Sequence, residues 1–349
     1  MRGAFLASNH VWSRRQAVRA LLGQIAEDAE LNVVTILVTG SAGHLGEALM
    51  RRLRAEHRPA RGVDIKPSPF TDCVGSIGDR DFINACMPGV RTVIHAASLH
   101  KPHVATHSKR DFVGINVLGT LALLEEAVAS GVEAFIFTST TSAFGAALTP
   151  AAGEPAIWVT EEVAPIPRNV YGVTKVAAEG LCQLFFREHR LPVIVLRTSR
   201  FFPEADDDDA ISASYEIANV QANELLYRRV DIGDVVSAHL LAVEKARNIG
   251  FARYVISAAT PFGRDDLASL NRNAPEVVHR LFPECMELYS ARGWRLFPRI
   301  DRVYVSHRAM AELAWRPKYD YRHALHCLRA GTDFRSPLAR EVGSKGYGS

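Results

Sequence analysis

Tyr171 and Lys175 stand four residues apart in Tyr171-Gly172-Val173-Thr174-Lys175, shortly after Pro165 and Pro167. If this stretch opens a helix, the spacing puts a phenol and an ammonium on one face, where both reach the same ligand. A free tyrosine has a pKa of ~10, so a base working near neutral pH needs it lowered by ~3 units, about 4 kcal/mol of preference for the phenolate. A lysine cation together with a positively charged ring on a bound ligand supplies such a preference. One strand and turn earlier come Thr138-Ser139-Thr140-Thr141-Ser142. Hydroxyls at the carboxyl end of a strand are where a substrate oxygen would find a donor. A Tyr-x-x-x-Lys pair alone also suits an ordinary surface helix, so its position after those hydroxyls decides.

A second chemical feature lies near the start of the chain. Thr39-Gly40-Ser41-Ala42-Gly43-His44-Leu45-Gly46 follows a short β-branched run at 33–38 and precedes a helical segment reaching about Glu56. Gly40 permits a tight turn, Gly43 lets a pyrophosphate approach the backbone, and Gly46 lets helix pack on strand. The exposed amides at the helix start, with His44 and Leu45, then bind the phosphates. Asp64 ends the next strand and would accept hydrogen bonds from adenosine ribose hydroxyls. Its charge would repel a 2′-phosphate, which favours NAD over NADP. Lys66, two residues on, keeps NADP as the less favoured reading.

These residues need a frame that brings them to one edge. Short apolar runs at 33–38, 61–64, 92–96, 134–138 and 192–197 alternate with helical segments, notably about 111–129 and 171–189. Such alternation predicts a Rossmann-type α/β fold, a doubly wound parallel sheet with ligands at the carboxyl ends of its strands. After Arg197 the alternation breaks: 198–228 and 259–330 read as polar, Arg-rich and irregular, whereas 231–246 and 254–257 read as one more helix and strand. The expected division is an extension at 1–32, a cofactor domain at 33–197 plus 229–258, a small C-terminal substrate lobe at 198–228 plus 259–330, and a tail at 331–349.

The 349 residues carry 41 basic and 38 acidic side chains, a formal net charge of +3. That near-balance gives no electrostatic case for nucleic acid or an anionic membrane as partner. No apolar run approaches the ~18–20 residues of a membrane span. Five scattered cysteines without a Cys-x-x-Cys pair suggest neither a disulfide framework nor a zinc ribbon, and a reducing, cytoplasmic location is expected. Arg2, Arg14, Arg15 and Arg19 precede the first acid, Glu27, and 12–29 reads as a candidate amphipathic helix. This basic start resembles an organelle transit peptide, although its serine content is low; the alternative is an extension outside the fold.

The glycine triplet, Asp64, the hydroxyl cluster and the Tyr171/Lys175 pair together resemble the extended short-chain dehydrogenase/reductase superfamily, and within it the NAD-dependent epimerase/dehydratase family. The resemblance runs from Val33 to about Pro317. It includes Val93-Ile94-His95-Ala96-Ala97, Asn116-Val117-Leu118-Gly119-Thr120, Ala143-Phe144-Gly145, Asp231-Ile232-Gly233-Asp234-Val235 and Leu313-Ala314-Trp315-Arg316-Pro317. It implies Tyr171 as catalytic acid/base and Thr140 as the catalytic hydroxyl. Lys175 would bind the nicotinamide ribose and lower the tyrosine pKa. Asn116 would brace the active-site helix through water, Ala96 and Ala97 would line the cofactor, Ser76 and Ile77 would lie near the adenine, and Thr198 and Ser199 near the nicotinamide amide. His100, Ser139, Thr141 and Arg200 are the candidate substrate contacts. The resemblance also implies a homodimer through the helices at about 112–130 and 171–189, which carry Leu121, Leu124, Leu184 and Phe185.

Three departures bear on substrate. Ser76 replaces the family's usual adenine-contacting Asp. Thr141-Ser142 follows Thr140 where dehydratases carry Asp-Glu, which argues against dehydration. Arg200 stands where nucleotide-sugar enzymes usually have Asn, and suits bidentate contact with a carboxylate or phosphate. The expected function is an NAD-dependent oxidoreductase or epimerase acting on a secondary alcohol of a sugar or sugar-nucleotide. The alternatives are a dehydrogenase or reductase of a small anionic hydroxy or keto substrate, and a non-catalytic NAD sensor. His95, His100, His103 and His107 cluster, but no metal site is expected from them. Asp206–Asp209 reads as a solvated loop, His323 and His326 as surface, and the Arg-rich 292–302 stretch as lobe decoration.

Overall fold

The computed structural model describes residues 35–201 and 213–345. The amino-terminal extension with its candidate helix, and Asp206–Asp209, lie outside the described residues. Seven strands form one wholly parallel sheet: β1 (Thr35–Thr39), β2 (Ala60–Asp64), β3 (Cys73–Val74), β4 (Val90–His95), β5 (Ala134–Thr140), β7 (Val193–Thr198) and β8 (Phe251–Ile256). Their order is β3-β2-β1-β4-β5-β7-β8. The order of winding reverses between the parallel neighbours β1 and β4, so a crevice opens at their carboxyl ends. Thr39 pairs with Val63 on one side and His95 on the other, and Thr140 pairs with Thr198, which brings the glycine turn and the hydroxyl cluster to one edge.

Helices cover both faces. On one face α1 (His44–Ala55) and α6 (Ile232–Ile249) pack Leu45, Leu49, Leu53, Val235 and Ala238 onto the sheet. On the other, α2 (Arg80–Cys86), α3 (Lys109–Ala129) and α4 (Val170–His189) contribute Ile83, Leu123, Leu124, Ala178 and Phe185. The apolar strands are buried on both faces, which explains their near-continuous hydrophobic sequence. By length and composition α3 could cross a membrane, contrary to the expectation from apolar runs. Here it is a core helix that also buries Asn116, Thr120 and Glu126.

A second apolar cluster holds the lobe. It joins α5 (Ile217–Leu225), α7 (Leu267–Leu281), α8 (Cys285–Ser290) and α10 (Tyr321–Ala330) through Leu225, Leu270, Val278, Phe282 and Tyr321. β6 (Ile157–Val159) pairs in parallel with β9 (Arg302–Tyr304), and α9 (His307–Glu312) follows. Much of 259–330 is therefore helical rather than irregular. α7 is kinked at Asn273, two residues before Pro275, which masks its period. The stretch at 331–349 contains α11 (Pro337–Val342), which seats Val342 in the core beside α1 and α6. All five cysteines are free and buried, Cys73, Cys86 and Cys182 against the sheet and Cys285 and Cys327 in the lobe.

Candidate active site

The glycine-rich turn is shaped by contacts that only glycine allows. Gly40 has φ +77°, and a Cβ there would lie 2.8 Å from the Ala97 nitrogen. A Cβ on Gly46 would lie 1.9 Å from the Gly40 carbonyl oxygen, so α1 could not seat on β1. Gly43 is exposed and would meet only the Gly40 oxygen, at 3.2 Å. Its open side is where a phosphate can approach the first amides of α1, which have no partner within the helix. Asp64 hangs beside the turn: Oδ2 accepts from the Ala42 amide at 3.0 Å and Oδ1 from the Lys66 amide at 2.9 Å. Each carboxylate oxygen retains a further lone pair for a ribose hydroxyl.

Beneath this edge a buried polar ladder ties β1, β4 and α3. The Thr120 hydroxyl donates to the Asn116 carbonyl at 2.7 Å, so His95 Nε2 must donate to Thr120 across 3.0 Å. His95 Nδ1 is then an acceptor, and the Thr39 hydroxyl donates to it at 2.8 Å while accepting from the Ala97 amide at 3.2 Å. Burial, and then Lys175, hold this imidazole neutral, well below its ordinary pKa. Asn116 lies in a π-helical turn of α3, Val113–Leu118. Its side chain spans Leu99, accepting from the amide and donating to the carbonyl at 2.8 Å each, and donates directly to Thr174 Oγ1 at 3.1 Å. The expected brace on the active-site helix is thus a direct contact rather than a water bridge.

Asn169 caps α4, accepting from the Gly172 amide at 3.0 Å, which places Tyr171 in the first turn. The Thr140 side chain acts on the Tyr171 phenol and favours its phenolate. Lys175 is buried with Nζ 4.4 Å from the centre of the Phe137 ring. Burial pushes the Lys175 ammonium down to about 8, opposed by Cys182 and Glu179. The phenol moves the opposite way from the sequence expectation: burial raises Tyr171 to about 12, only partly countered by Thr140. Working near neutral pH from there requires about 7 kcal/mol of preference for the phenolate, more than a lysine alone provides.

The lobe approaches from the other side. Glu224 has no solvent exposure and pairs with Arg228 and Arg229 at 2.7 Å each. Burial opposes its charge, yet Arg229, Arg228 and Arg200 outweigh it and hold the carboxyl down to about 2. A small open cleft adjoins this cluster, lined by His44, Phe201, Gln221, Arg229, Tyr319 and Arg335 among others.

Compared with known proteins, residues 36–257 match the model of the NAD dependent epimerase/dehydratase family. The chain belongs to this family. By its description this family is NAD dependent. It is 30% identical over 214 residues to a GDP-6-deoxy-D-mannose reductase of Pseudomonas aeruginosa, a match covering 60% of this chain and 66% of that one. It is 22% identical over 346 residues to a UDP-glucose 4-epimerase of Azospirillum brasilense, covering 89% and 94%. The chain spans 57% and 66% of the length of the first two curated relatives it matches. Among solved structures, a short-chain dehydrogenase/reductase superfamily protein of Agrobacterium tumefaciens with bound NAD superposes with a TM-score of 0.59 at 22% identity, covering 88% of this chain and 99% of that one.

The family's cofactor fits the edge just described. The open face of Gly43, the amides of α1 and the acceptor Asp64 suit the pyrophosphate and adenosine ribose of NAD. Ala96 and Ala97 form the wall over Gly40. Ser76 Oγ accepts from the Gly78 amide, and the Ile77 side chain is buried near Gly119, so both present mainly backbone. His100 is half-buried, its imidazole pushed down to about 4 by burial and then by His103, with His44 and Lys175 also acting on it. Three expected contacts are turned elsewhere. Ser139 donates to Glu179 at 2.6 Å, the Thr198 hydroxyl to the Ser139 carbonyl at 3.0 Å, and the Ser199 hydroxyl to Ser257 at 3.2 Å. Strand alternation explains Ser139, since Thr140 and Ser139 face opposite sides. Thr141 is buried behind Thr140. Among the described residues no cluster of histidine, cysteine and carboxylate side chains could hold a metal ion. Two residues the sequence left unmarked are Glu179, one turn beyond Lys175, and Lys345, whose ammonium donates to the Ala42 carbonyl at 2.9 Å.

Proposed function

We propose that this protein moves a hydride between NAD and a secondary alcohol of a sugar or sugar-nucleotide. The reading is carried by the Thr140–Tyr171 hydroxyl pair at the end of β5, with Lys175 one turn further along α4. When bound, NAD would supply the hydride acceptor and a positively charged ring that favours the phenolate. Tyr171 removes the hydroxyl proton as the C–O bond becomes a carbonyl. Thr140 hydrogen-bonds the same oxygen, and Lys175 adds its charge to the ring's. Release of the ketone gives net oxidation; return of the hydride to its other face gives epimerisation. The activities for which the two relatives are named, on a GDP-sugar and a UDP-sugar, support a sugar-nucleotide substrate. Thr141-Ser142 after Thr140 speaks against elimination of water.

A second reading rests on the lobe. Arg200 follows the end of β7, and its planar guanidinium suits bidentate contact with a carboxylate or phosphate of a substrate. The test is to purify the protein, ask whether NAD stays bound, and offer sugar nucleotides, sugar phosphates and hydroxy acids. Retained cofactor with a new epimer and no accumulated reduced nicotinamide selects epimerisation. Free exchange with stoichiometric reduced cofactor selects dehydrogenation, and turnover of hydroxy acids alone would replace the sugar reading.

We also propose a two-fold homodimer through α3 and α4. Leu124 and Phe185 pack into the core and cannot serve it. Val113, Leu118, Val173 and Leu184 are exposed on these two helices and supply its apolar surface. Light scattering at micromolar concentration checks it, and a monomer counts against it.

A further inference from the structure

Lys175 is buried, and among the described residues its ammonium makes no hydrogen bond or ion pair. A buried cation without a partner tends to give up its proton. Glu179, one turn further along α4, accepts instead from Ser139, Arg197 and Arg253. What the ammonium meets is the ring of Phe137, whose centre lies 4.4 Å from Nζ. At that range the negative face of an aromatic ring attracts a cation, most strongly where water is excluded. Strand alternation sets up the contact. Phe135, Phe137 and Ser139 of β5 point toward α3 and α4, whereas Ile136 and Thr138 point toward α6.

The ring is itself clamped. It has no solvent exposure, and the His95 imidazole lies against it with ring centres 5.5 Å apart and planes inclined at 44°. His95 is fixed in turn by Thr39 and Thr120. Around Lys175 stand Tyr171, Glu179 and Cys182 of α4, His95 of β4 and His100 just beyond it. Burial and then Lys175 hold His95 neutral, and burial and then His103 push His100 down to about 4. Burial raises Tyr171 to about 12 and also pushes the Cys182 thiol up. Lys175, at about 8, changes charge in a range where these four do not.

We propose that Phe137 is a positioning residue: the face of its ring holds the Lys175 ammonium charged and aimed at the nicotinamide ribose and the Tyr171 phenol. Its part in cofactor binding rests on the NAD reading given above. Carbon-13 at the lysine Cε, with Lys175→Arg to assign the signal, reports this ammonium by NMR without any ligand. The wild-type midpoint should lie near 8. Phe137→3,4,5-trifluorophenylalanine keeps the shape of the ring and removes its negative face. That variant and Phe137→Leu should each lower the midpoint by about one pH unit, a ~10-fold change in the ionisation constant. Phe137→4-fluorophenylalanine should lower it by less. In calorimetric titrations NAD affinity should fall as pH rises through the same midpoint in each protein. ADP, which lacks the nicotinamide ribose, should bind all of them equally. A midpoint unmoved by fluorination overturns the proposal. So does equal weakening of ADP and NAD, which would make Phe137 a support for the fold. A wild type that does not bind NAD strikes the cofactor reading alone, and the carbon signal still decides the role of the ring.

Discussion

The sheet half and the lobe each bury one carboxylate among arginines, and they use it in different ways. Glu179 accepts from Arg197 at 2.7 to 3.2 Å, from Arg253 at 3.2 Å and from Ser139 at 2.6 Å. It sits one turn past Lys175 on α4, and Arg197 also stacks on Phe144. The cluster locks the helix carrying Tyr171 against β5 and β7. In the lobe, Glu224 answers to three guanidiniums instead of two, and Arg229 lines the cleft. The first arrangement is a scaffold whose hydrogen bonds are consumed internally. The second puts Arg229, paired with Glu224, on the wall of a cleft that a ligand can enter. Similar chemistry thus serves precision in one half and attraction in the other.

The largest effect should separate chemistry from binding within the sheet half. Tyr171→Phe removes only a hydroxyl, so turnover should fall ~10²–10⁴-fold while NAD affinity holds, as read by steady-state kinetics beside calorimetry. Near-wild-type turnover would remove Tyr171 from the mechanism. Next come the two carboxylates. Glu179→Gln and Glu224→Gln should each cost ~3–5 kcal/mol in denaturant unfolding, since buried arginines lose their counter-charge. Only Glu224→Gln should increase stabilisation by added inorganic phosphate, because only there does freed charge face a cleft. Equal phosphate responses would erase the distinction between the halves.

Acid should then open the halves in sequence. His239 is buried with Nδ1 donating to the Val235 carbonyl and Nε2 accepting from Thr138, and burial pushes it down to about 4. A histidine lowered from 6.5 adds stability that is full above 6.5 and is lost as pH falls through 4, on the order of 3 kcal/mol here. Glu224, lowered from 4.5 to about 2, adds stability that is full above 4.5 and is lost only as pH falls through 2. Hydrogen exchange should therefore find the sheet half loosening near pH 5 while the lobe stays protected. Loss of the lobe first would reverse the argument. The smallest effect concerns Asp64: NAD should bind about 10-fold more tightly than NADP, about 1.4 kcal/mol, in parallel titrations.

What could be read from the sequence follows the same division. β1, β5 and β7 are continuous apolar runs because both faces are covered, and the glycine turn is legible because Gly40 and Gly46 answer steric demands that no other residue meets. Tyr171, Lys175 and Thr140 come together because a capped helix returns to pack on β5 after the long connection at 141–169. The lobe hides its order. Leu270, Ala274, Val277 and Val278 repeat at helical spacing, but Pro275 interrupts the pattern. Glu224, Arg228 and Arg229 look like an exposed charged turn, since burial is decided by α7, α8 and α10 from elsewhere in the chain. The orientation of Ser139 was available from strand alternation alone. Nothing local marks Lys345, whose meaning comes from residues about 300 positions away.

The buried thiols give this division a clock. Cys73, Cys86 and Cys182 lie against the sheet and Cys285 and Cys327 in the lobe, none exposed. An alkylating reagent reaches each only when its own surroundings come apart, so labelling times report how often each half opens. When closing is fast, those times scale with the population of the open form; when the reagent outpaces closing, they give the opening rate itself. The protein therefore carries, in five native side chains, separate timers for its two halves, readable by mass without introducing a probe.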